Sequence, residues 1–426
     1  MTTSESTDTE SAISDSGDII DFDHHSAEYA QRWGEIYAGL RQSKCPVART
    51  EAHGGYWVPS RYDDIVAIAR DSETFTSEHD LTRETTGYEG VAIPEAPVMQ
   101  VPIELEGPEF AFFRKLMNPK FSPKEARRYD EFLADATNAA LNRVCETGSL
   151  DIVFDLGNPV PAIWTLTFLG IPLDNWEECA TPFHEIAYQP PGSDEFTAAV
   201  IGIMNVLNKV QQEYEDRLAT PRDDFLSYLA AAEVDGEPLS LQRVMEICTL
   251  VFVGGVDTTT SLTANTMVWL DQHPEERERL RENPDLLPEA CEEMLRYFSP
   301  SSTLARTVTR ETELGGRKLC PGDRILLPWH AANRDPAVFD DPDEVILGRF
   351  PNKHTAFGVG PHRCLGSNIA RRMWLAMVTG LLTRMPDLSI DHSALQRSPS
   401  LGNVNGFISV PATFTPTAPV PTRLTL

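Results

Sequence analysis

The chain has 426 residues, of which 41% are apolar and 23% charged, so it can bury a large core and does not have the composition of a disordered polymer. Its 64 acidic and 36 basic residues leave a net charge of −28, and a field of that sign repels nucleic-acid phosphates and anionic lipid alike. No basic, apolar leader opens the sequence, and no uninterrupted apolar run reaches the roughly 18–20 residues that cross a bilayer, which points to the cytoplasm.

The first thirty residues carry eight acids and no Lys or Arg among many Ser and Thr, so residues 1–30 are expected to be a disordered acidic segment. Two strand-like runs, 48–51 and 56–59, flank Gly54-Gly55 and predict a hairpin. Helical patterns follow over 62–70, 125–146 and 196–218. After a turn at Asp235-Gly236, residues 241–273 read as one helix of about 50 Å. Its middle, 248–256, is apolar on every side, the pattern of a central buried helix. A further helix covers 289–297, and turns at Gly315-Gly316 and Pro321-Gly322 bracket strands at 317–319 and 324–328. The sum is a mainly α fold with a minor β portion near both ends and no internal repeat.

Seven Cys occur at 45, 145, 179, 248, 291, 320 and 364, with no CxxC pair, which argues against a disulfide framework or a Cys-based zinc site. One of them stands apart. Cys364 lies in Phe357-Gly358-Val359-Gly360-Pro361-His362-Arg363-Cys364-Leu365-Gly366, a tight loop followed from Ser367 by an amphipathic helix. A sulfur aimed at helix N-terminal N–H groups is stabilised as thiolate. In the long helix, Gly254-Gly255-Val256-Asp257-Thr258-Thr259 places two Gly inside a helix, at about 1 kcal/mol each, directly before an acid and a hydroxyl. Close approach of a ligand to the backbone would explain that cost; a kink with a paired Asp would explain it equally. Glu293-Met294-Leu295-Arg296 puts opposite charges on one helix face, an arrangement common on surface helices and silent by itself.

Taken together and in this order, the motifs resemble those of the bacterial cytochrome P450 family. The Cys loop matches F-x-x-G-x-x-x-C-x-G, and the helix string matches [AG]-G-x-[DE]-T-[TS]. ExxR is followed by a meander, Ala332-Asn333-Arg334-Asp335-Pro336 through Arg349-Phe350, about a hundred residues separate Thr258 from Cys364, and the likeness extends over roughly 45–415.

The resemblance implies a triangular helical domain with small sheets, residues 31–426 as a single catalytic domain, and heme b (iron protoporphyrin IX) bound through Cys364, with Phe357 and Gly366 shaping the ligand loop. It implies Arg114, Arg306 and His362 as propionate partners, although Phe110 stands where many members carry a further His. Glu293, Arg296 and Arg349 would form a structural triad. Thr258 would hydrogen-bond dioxygen and order a water, and Asp257 would relay protons. The pocket would draw on Val91, Ile93, Val98, Met99, Leu250, Val253, Gly254, Ser302, Thr303, Leu304, Val404, Asn405 and Phe407, with 189–195 as a lid hinge. Most of these are apolar, so a terpenoid, fatty acyl or sterol-like substrate is expected.

No flavin or iron–sulfur motif accompanies the chain, so electrons would come from NAD(P)H through a reductase and ferredoxin. Residues 345–386 contain no Asp or Glu but six bases, Arg349, Lys353, Arg363, Arg371, Arg372 and Arg384. A second group comprises Arg114, Lys115, Lys120, Lys124, Arg127 and Arg128. Apart from those that hold propionates or internal partners, these bases would steer an acidic ferredoxin to a monomeric enzyme. A haem-thiolate sensor without turnover and a peroxide-using enzyme are the alternatives on the same fold.

Overall fold

The computed structural model describes residues 19–43, 46–82, 90–94, 99–189, 193–402 and 404–426. Residues 1–18, together with Cys45, Val98 and the 190–192 part of the expected hinge, lie outside that set. Expected disorder through residue 30 is corrected in its second half. Ile19 bridges Arg49, and Ile20, Phe22 and Tyr29 are buried in one apolar cluster, which holds this stretch to the body despite its acids.

Helix α1 (Ala27–Gln42) starts on Ser26, whose hydroxyl accepts from the Tyr29 amide. Strands β1 (Val47–Thr50) and β2 (Tyr56–Pro59) form the hairpin, turned by His53, Gly54 and Gly55 at positive φ. After α2 (Tyr62–Arg70) and β3 (Phe75–Thr76) come the helices α3 (Gly107–Met117), α4 (Pro123–Arg127) and α5 (Asp130–Asn142). The pattern over 125–146 is thus two helices, separated where Tyr129 sits at φ −90°, ψ 0°.

Strand β4 (Ser149–Asp151) leads to α6 (Pro159–Leu169), α7 (Trp176–Tyr188), α8 (Asp194–Ala219) and α9 (Phe225–Ala230). A small hairpin, β5 (Glu233–Val234) and β6 (Glu237–Pro238), precedes α10 (Leu241–Gly255), α11 (Asp257–Gln272), α12 (Pro274–Glu282) and α13 (Leu287–Phe298). The predicted single helix over 241–273 is therefore broken at Val256, whose ψ of −69° departs from the helical value.

The rest comprises β7 (Thr303–Val308), β8 (Thr312–Leu314), β9 (Arg317–Leu319), β10 (Arg324–Pro328), α14 (Trp329–Ala332), α15 (Ser367–Arg384), β11 (Ser389–Ile390), β12 (Gln396–Arg397), β13 (Phe407–Ser409) and β14 (Pro411–Thr413). The main sheet orders β1-β2-β10-β7-β3, with β10 parallel to β2 and antiparallel to β7.

Around α11 the core is continuous: α15 packs on α5 and α11, and Trp374, fully buried, donates its Nε1–H to Thr266 Oγ1 at 3.0 Å. Ile152–Leu169 and Leu241–Gln272 are long and apolar enough to cross a membrane by length and composition only, and both are largely buried against protein, as core helices are.

Candidate active site

The Cys364 loop is shaped by backbone. Gly358 and Gly360 sit at φ +66° and +79°, and a Cβ on Gly360 would lie 2.5 Å from the Ala69 carbonyl, so only glycine fits there. The Cys364 amide donates to Phe357 O at 2.8 Å and closes the turn. Cys364 has reachable surface, yet protein rings its sulfur, and this desolvation raises the thiol above its usual pKa. The Gly366 N–H and the guanidiniums of Arg363, Arg114 and Arg371 work in the opposite direction without overcoming it. The expected helix donors are thus present at the sulfur, set against its burial.

Behind the loop stands a polar frame centred on Glu293 and Arg296. Glu293 and Arg296 are both completely buried and pair at 2.8 and 2.9 Å. Arg296 also donates to the carbonyls of Asn333, Pro342 and Glu344 at 2.9, 2.7 and 2.6 Å. Arg349 Nε reaches both Glu293 oxygens at 3.1 and 3.2 Å, and Asn352 and the Ile346 amide donate to the same carboxylate. The meander is thereby tied to α13.

Its neighbour Glu292, which the sequence reading passed over, accepts from Arg371 Nε at 2.5 Å and Nη2 at 2.7 Å and pairs with His354 at 3.0 Å. Burial alone would raise Glu292, but the Arg371 and His354 hydrogen bonds pull it down to about 2. Arg371 in turn lies 4.5 Å over the Phe357 ring, so Glu292 braces the ligand loop directly.

Two guanidiniums and an imidazole gather around the cysteine loop: Arg114 beside Cys364, and Arg306 and Arg114 beside His362, whose pKa burial lowers. Arg306 is 2% exposed; its recorded hydrogen bond goes to the adjacent Ala305 carbonyl, and desolvation lowers its pKa to about 10. Arg114 makes no ion pair among the described residues and feels Cys364 electrostatically. The Nε2 of His362 lies 2.9 Å from Glu106 Oε1, while its Nδ1 is buried without a partner. Phe110, in place of the expected second His, packs tilted against the His362 ring, with centroids 4.2 Å apart. Glu106 is a second missed residue: burial raises it, but His362 and Ser77 outweigh that and hold it below its ordinary value.

Two buried or half-buried guanidiniums and an orphaned imidazole nitrogen exceed what one carboxylate neutralises. The surplus fits the acid groups of a porphyrin beside the sulfur.

On the other side lies the helix break. Thr258 Oγ1 donates to Gly254 O at 3.0 Å, and Thr260 Oγ1 donates to both Val256 O and Gly157 O at 3.0 and 2.6 Å. These hydroxyls bend the ladder where two Gly already weaken it. Asp257, 4% exposed, is 2.7 Å from His184 Nδ1 on α7, itself 5% exposed. Both sequence explanations for this segment therefore coexist: a kink with a paired Asp, and open backbone. Val253 is 41% exposed although it lies in a core helix, and a Cβ on Gly254 would meet nothing within 4 Å. No spacing rule connects His184 to Asp257, 73 residues apart.

Of the expected pocket residues, Val91 is buried, its carbonyl accepting from the Ala305 amide at 2.7 Å, and Val98 lies outside the described residues. Leu250 and Leu304 are half-buried. Ser302 donates to Leu401 O, Val404 bridges Ser301, and Asn405 Nδ2 donates to Phe298 O at 2.5 Å, so the polar members of this set also build the frame.

The basic groups divide. Arg349, Arg371, Arg372 and Arg128 pair with Glu293, Glu292, Asp130 and Glu125. Arg384 bonds the neutral Asn138 and Asn142. Lys115, Lys124, Arg127, Lys353 and Arg363 are exposed and make no ion pair among the described residues.

A mainly helical body, a glycine-shaped cysteine loop and adjoining unmatched cations define a haem-thiolate oxygenase. The cytochrome P450 family model matches residues 175–386. Steroid C26-monooxygenase of Mycobacterium tuberculosis is 30% identical over 400 residues, 92% of this chain and 96% of that protein. Linalool 8-monooxygenase of Pseudomonas putida is 29% identical over 367 residues, 82% of this chain and 88% of its own. The crystal structure of Mycobacterium marinum cytochrome P450 CYP268A2 in complex with pseudoionone has a TM-score of 0.83 and 25% identity, covering 92% of this chain and 98% of that one. The chain belongs to the cytochrome P450 family and is a haem-dependent monooxygenase.

Proposed function

We propose that the chain holds heme b through Cys364, receives electrons from a ferredoxin and its reductase, and oxygenates a hydrophobic steroid-like or terpenoid substrate. The observation that carries this reading is that Arg114 and the buried Arg306, near the cysteine loop, make no ion pair among the described residues, with Glu106 the one carboxylate near Arg306. Names of relatives that act on a steroid and on linalool support the substrate class.

A haem ligated by cysteine supplies the electron push that favours O–O cleavage. Cys364 Sγ would hold the iron as a thiolate, with the Gly366 N–H and the nearby guanidiniums favouring the charged form against the burial that raises the free thiol. Arg114, Arg306 and His362 would neutralise the propionates, with Phe110 fixing the plane of the His362 ring. The exposed faces of Val253 and Gly254 offer apolar contact and a close backbone approach to substrate. Thr258 Oγ1 can exchange its bond to Gly254 O for a bond to a water or to oxygen. The Asp257 carboxylate, held by His184, is the acid closest in sequence to that hydroxyl and would pass protons inward. The exposed bases Lys115, Lys124, Arg127, Lys353 and Arg363 would form the docking face for an acidic redox partner.

The deciding measurement is the carbon-monoxide difference spectrum of the reduced holoprotein. Wild type should give the strongly red-shifted Soret band of thiolate ligation, and Cys364→Ala should lose it. A band that survives the substitution rejects Cys364 as ligand.

A further inference from the structure

The stretch leading into α1 places His25 between two segments that are remote from it in sequence. Asp23 sets the approach, its carboxylate taking the His25 amide at 2.8 Å and its carbonyl the Ser26 amide at 3.0 Å. His25 Nε2 then meets the Ile93 carbonyl at 2.8 Å, and Nδ1 lies 3.3 Å from Ser400 Oγ. A carbonyl only accepts, so Nε2 carries the ring proton and Nδ1 accepts from the Ser400 hydroxyl. The ring also lies against Gly402, where a Cβ would come within 2.1 Å of Nδ1 and Cε1, so that position has room for glycine alone.

Both segments adjoin residues expected to line the reaction chamber. The Val91 carbonyl takes the Ala305 amide at 2.7 Å, Thr303 Oγ1 donates to Gly402 O at 2.7 Å, and Ser302 Oγ donates to Leu401 O. One imidazole therefore bonds the 90–94 segment and the 398–402 turn at once.

The charges around it are few. His24 and His53 bring their rings to 4.2 and 5.5 Å from that of His25, and lie 5.9 Å from each other. Asp23 is the carboxylate of the cluster, and His53 Nε2 already holds it at 2.9 Å. Tyr56 on β2 bonds His24 Nδ1 at 2.7 Å. Residues 90–94 and 398–402 contain no ionisable side chain. Glu104 and Arg324, of opposite sign, hold the Val91 amide and the Ala92 carbonyl at 3.5 and 2.7 Å. A proton on His25 Nδ1 would thus face the lone hydrogen-bond donor it now accepts from, beside two further imidazoles that share one carboxylate.

We propose that His25 is a positioning residue for the reaction chamber: its neutral imidazole clasps the 90–94 segment to the 398–402 turn, and acid opens the clasp. The proposal rests on the chamber reading given above. Its sign follows from burial, which is the largest influence on His24 and His25 and lowers both below their ordinary 6.5. A released histidine takes up its proton near pH 6.5 and a clasped one only at lower pH, so the clasp is fully held above 6.5 and weakens as pH falls below it.

The test is hydrogen–deuterium exchange, read at single amides, on reduced holoprotein with carbon monoxide bound, from about pH 7.5 to about pH 5.5 and corrected for the intrinsic pH effect. The Ala305 amide, bonded to Val91, reports one wall, and the Gly402 amide, bonded to Ser400 Oγ at 3.0 Å, reports the other. In wild type, protection at both should fall together below pH 6.5, by up to about tenfold per pH unit for each histidine that takes up a proton, while α15 stays protected. His25→Gln keeps a donor for the Ile93 carbonyl but cannot titrate, and its slope should be shallower by about tenfold per pH unit. Protection independent of pH, walls that loosen at different pH, loss shared by α15, or an unchanged slope in His25→Gln overturns the clasp. The thiolate Soret band of the same samples tests the haem reading separately, since opening the clasp leaves Cys364 in place.

Discussion

The two sides of the candidate active site are built on opposite rules. Behind Cys364, each polar group of the Glu293–Arg296–Arg349 frame is spoken for, and Glu293 alone takes bonds from four residues. Opposite it, the helix ladder is interrupted at Val256, two glycines lie side by side, and Asp257 relies on one recorded side-chain partner. The first arrangement can only hold still. The second has alternatives within reach, because Thr258 can trade one acceptor for another without unfolding a turn. A ligand loop needs fixed geometry and a proton path needs movable groups, so the division follows the chemistry each side serves.

The comparison breaks most readily at Arg296. Arg296→Ala strips the buried Glu293 of its bidentate partner and leaves the carbonyls of Asn333, Pro342 and Glu344 without this donor, which should cost about 3–5 kcal/mol. The urea midpoint should fall accordingly, and haem retention with it. A loss below about 1 kcal/mol would mean the frame is not the rigid half. Glu292→Gln probes the same half more gently. Glu292 has a folded pKa of about 2 against an ordinary 4.5, so its contribution is full above pH 4.5 and fades as pH falls toward 2. Its side chain is 33% exposed, and solvent screening brings the neutral-pH loss in the variant to about 1–2 kcal/mol. The gap between wild type and variant in thermal midpoint should close between pH 4.5 and 2; a gap that persists at pH 2 refutes the pairing.

How much of this could be read beforehand depends on the distance over which each signal acts. The β1–β2 hairpin, α2, β9, β10 and the start of α15 follow from local turn chemistry and short-range pattern, and they stand where the sequence put them. The break at Val256 was invisible to periodicity, because the apolar pattern continues across it; it is made by hydroxyl-to-carbonyl bonds such as Thr260 to Gly157, 103 residues away. His184 and Glu106 meet their partners Asp257 and His362 only through tertiary folding, and no local spacing announces them. Glu292 did leave a trace, since it stands beside Glu293, but one acid next to another on a helix is ordinary until Arg371 is seen to face it. The N-terminal stretch misled through its charge: Ile20 and Phe22 outweigh the acids around them once β1 and β2 offer a surface.

The smallest effect expected lies on the movable side, at Gly254. A methyl there meets nothing within 4 Å, so Gly254→Ala adds no clash and removes the conformational cost of glycine in a helix. The substrate-free holoprotein should gain about 0.5–1 kcal/mol, a rise of about 1–2 °C in thermal midpoint. The same methyl projects into open space, which is proposed for substrate, and should weaken the substrate-induced Soret shift. Stability up and substrate affinity down is the signature of a glycine kept for access rather than for the fold. A drop in stability, or unaltered substrate affinity, would place Gly254 with the frame instead and erase the contrast between the two sides.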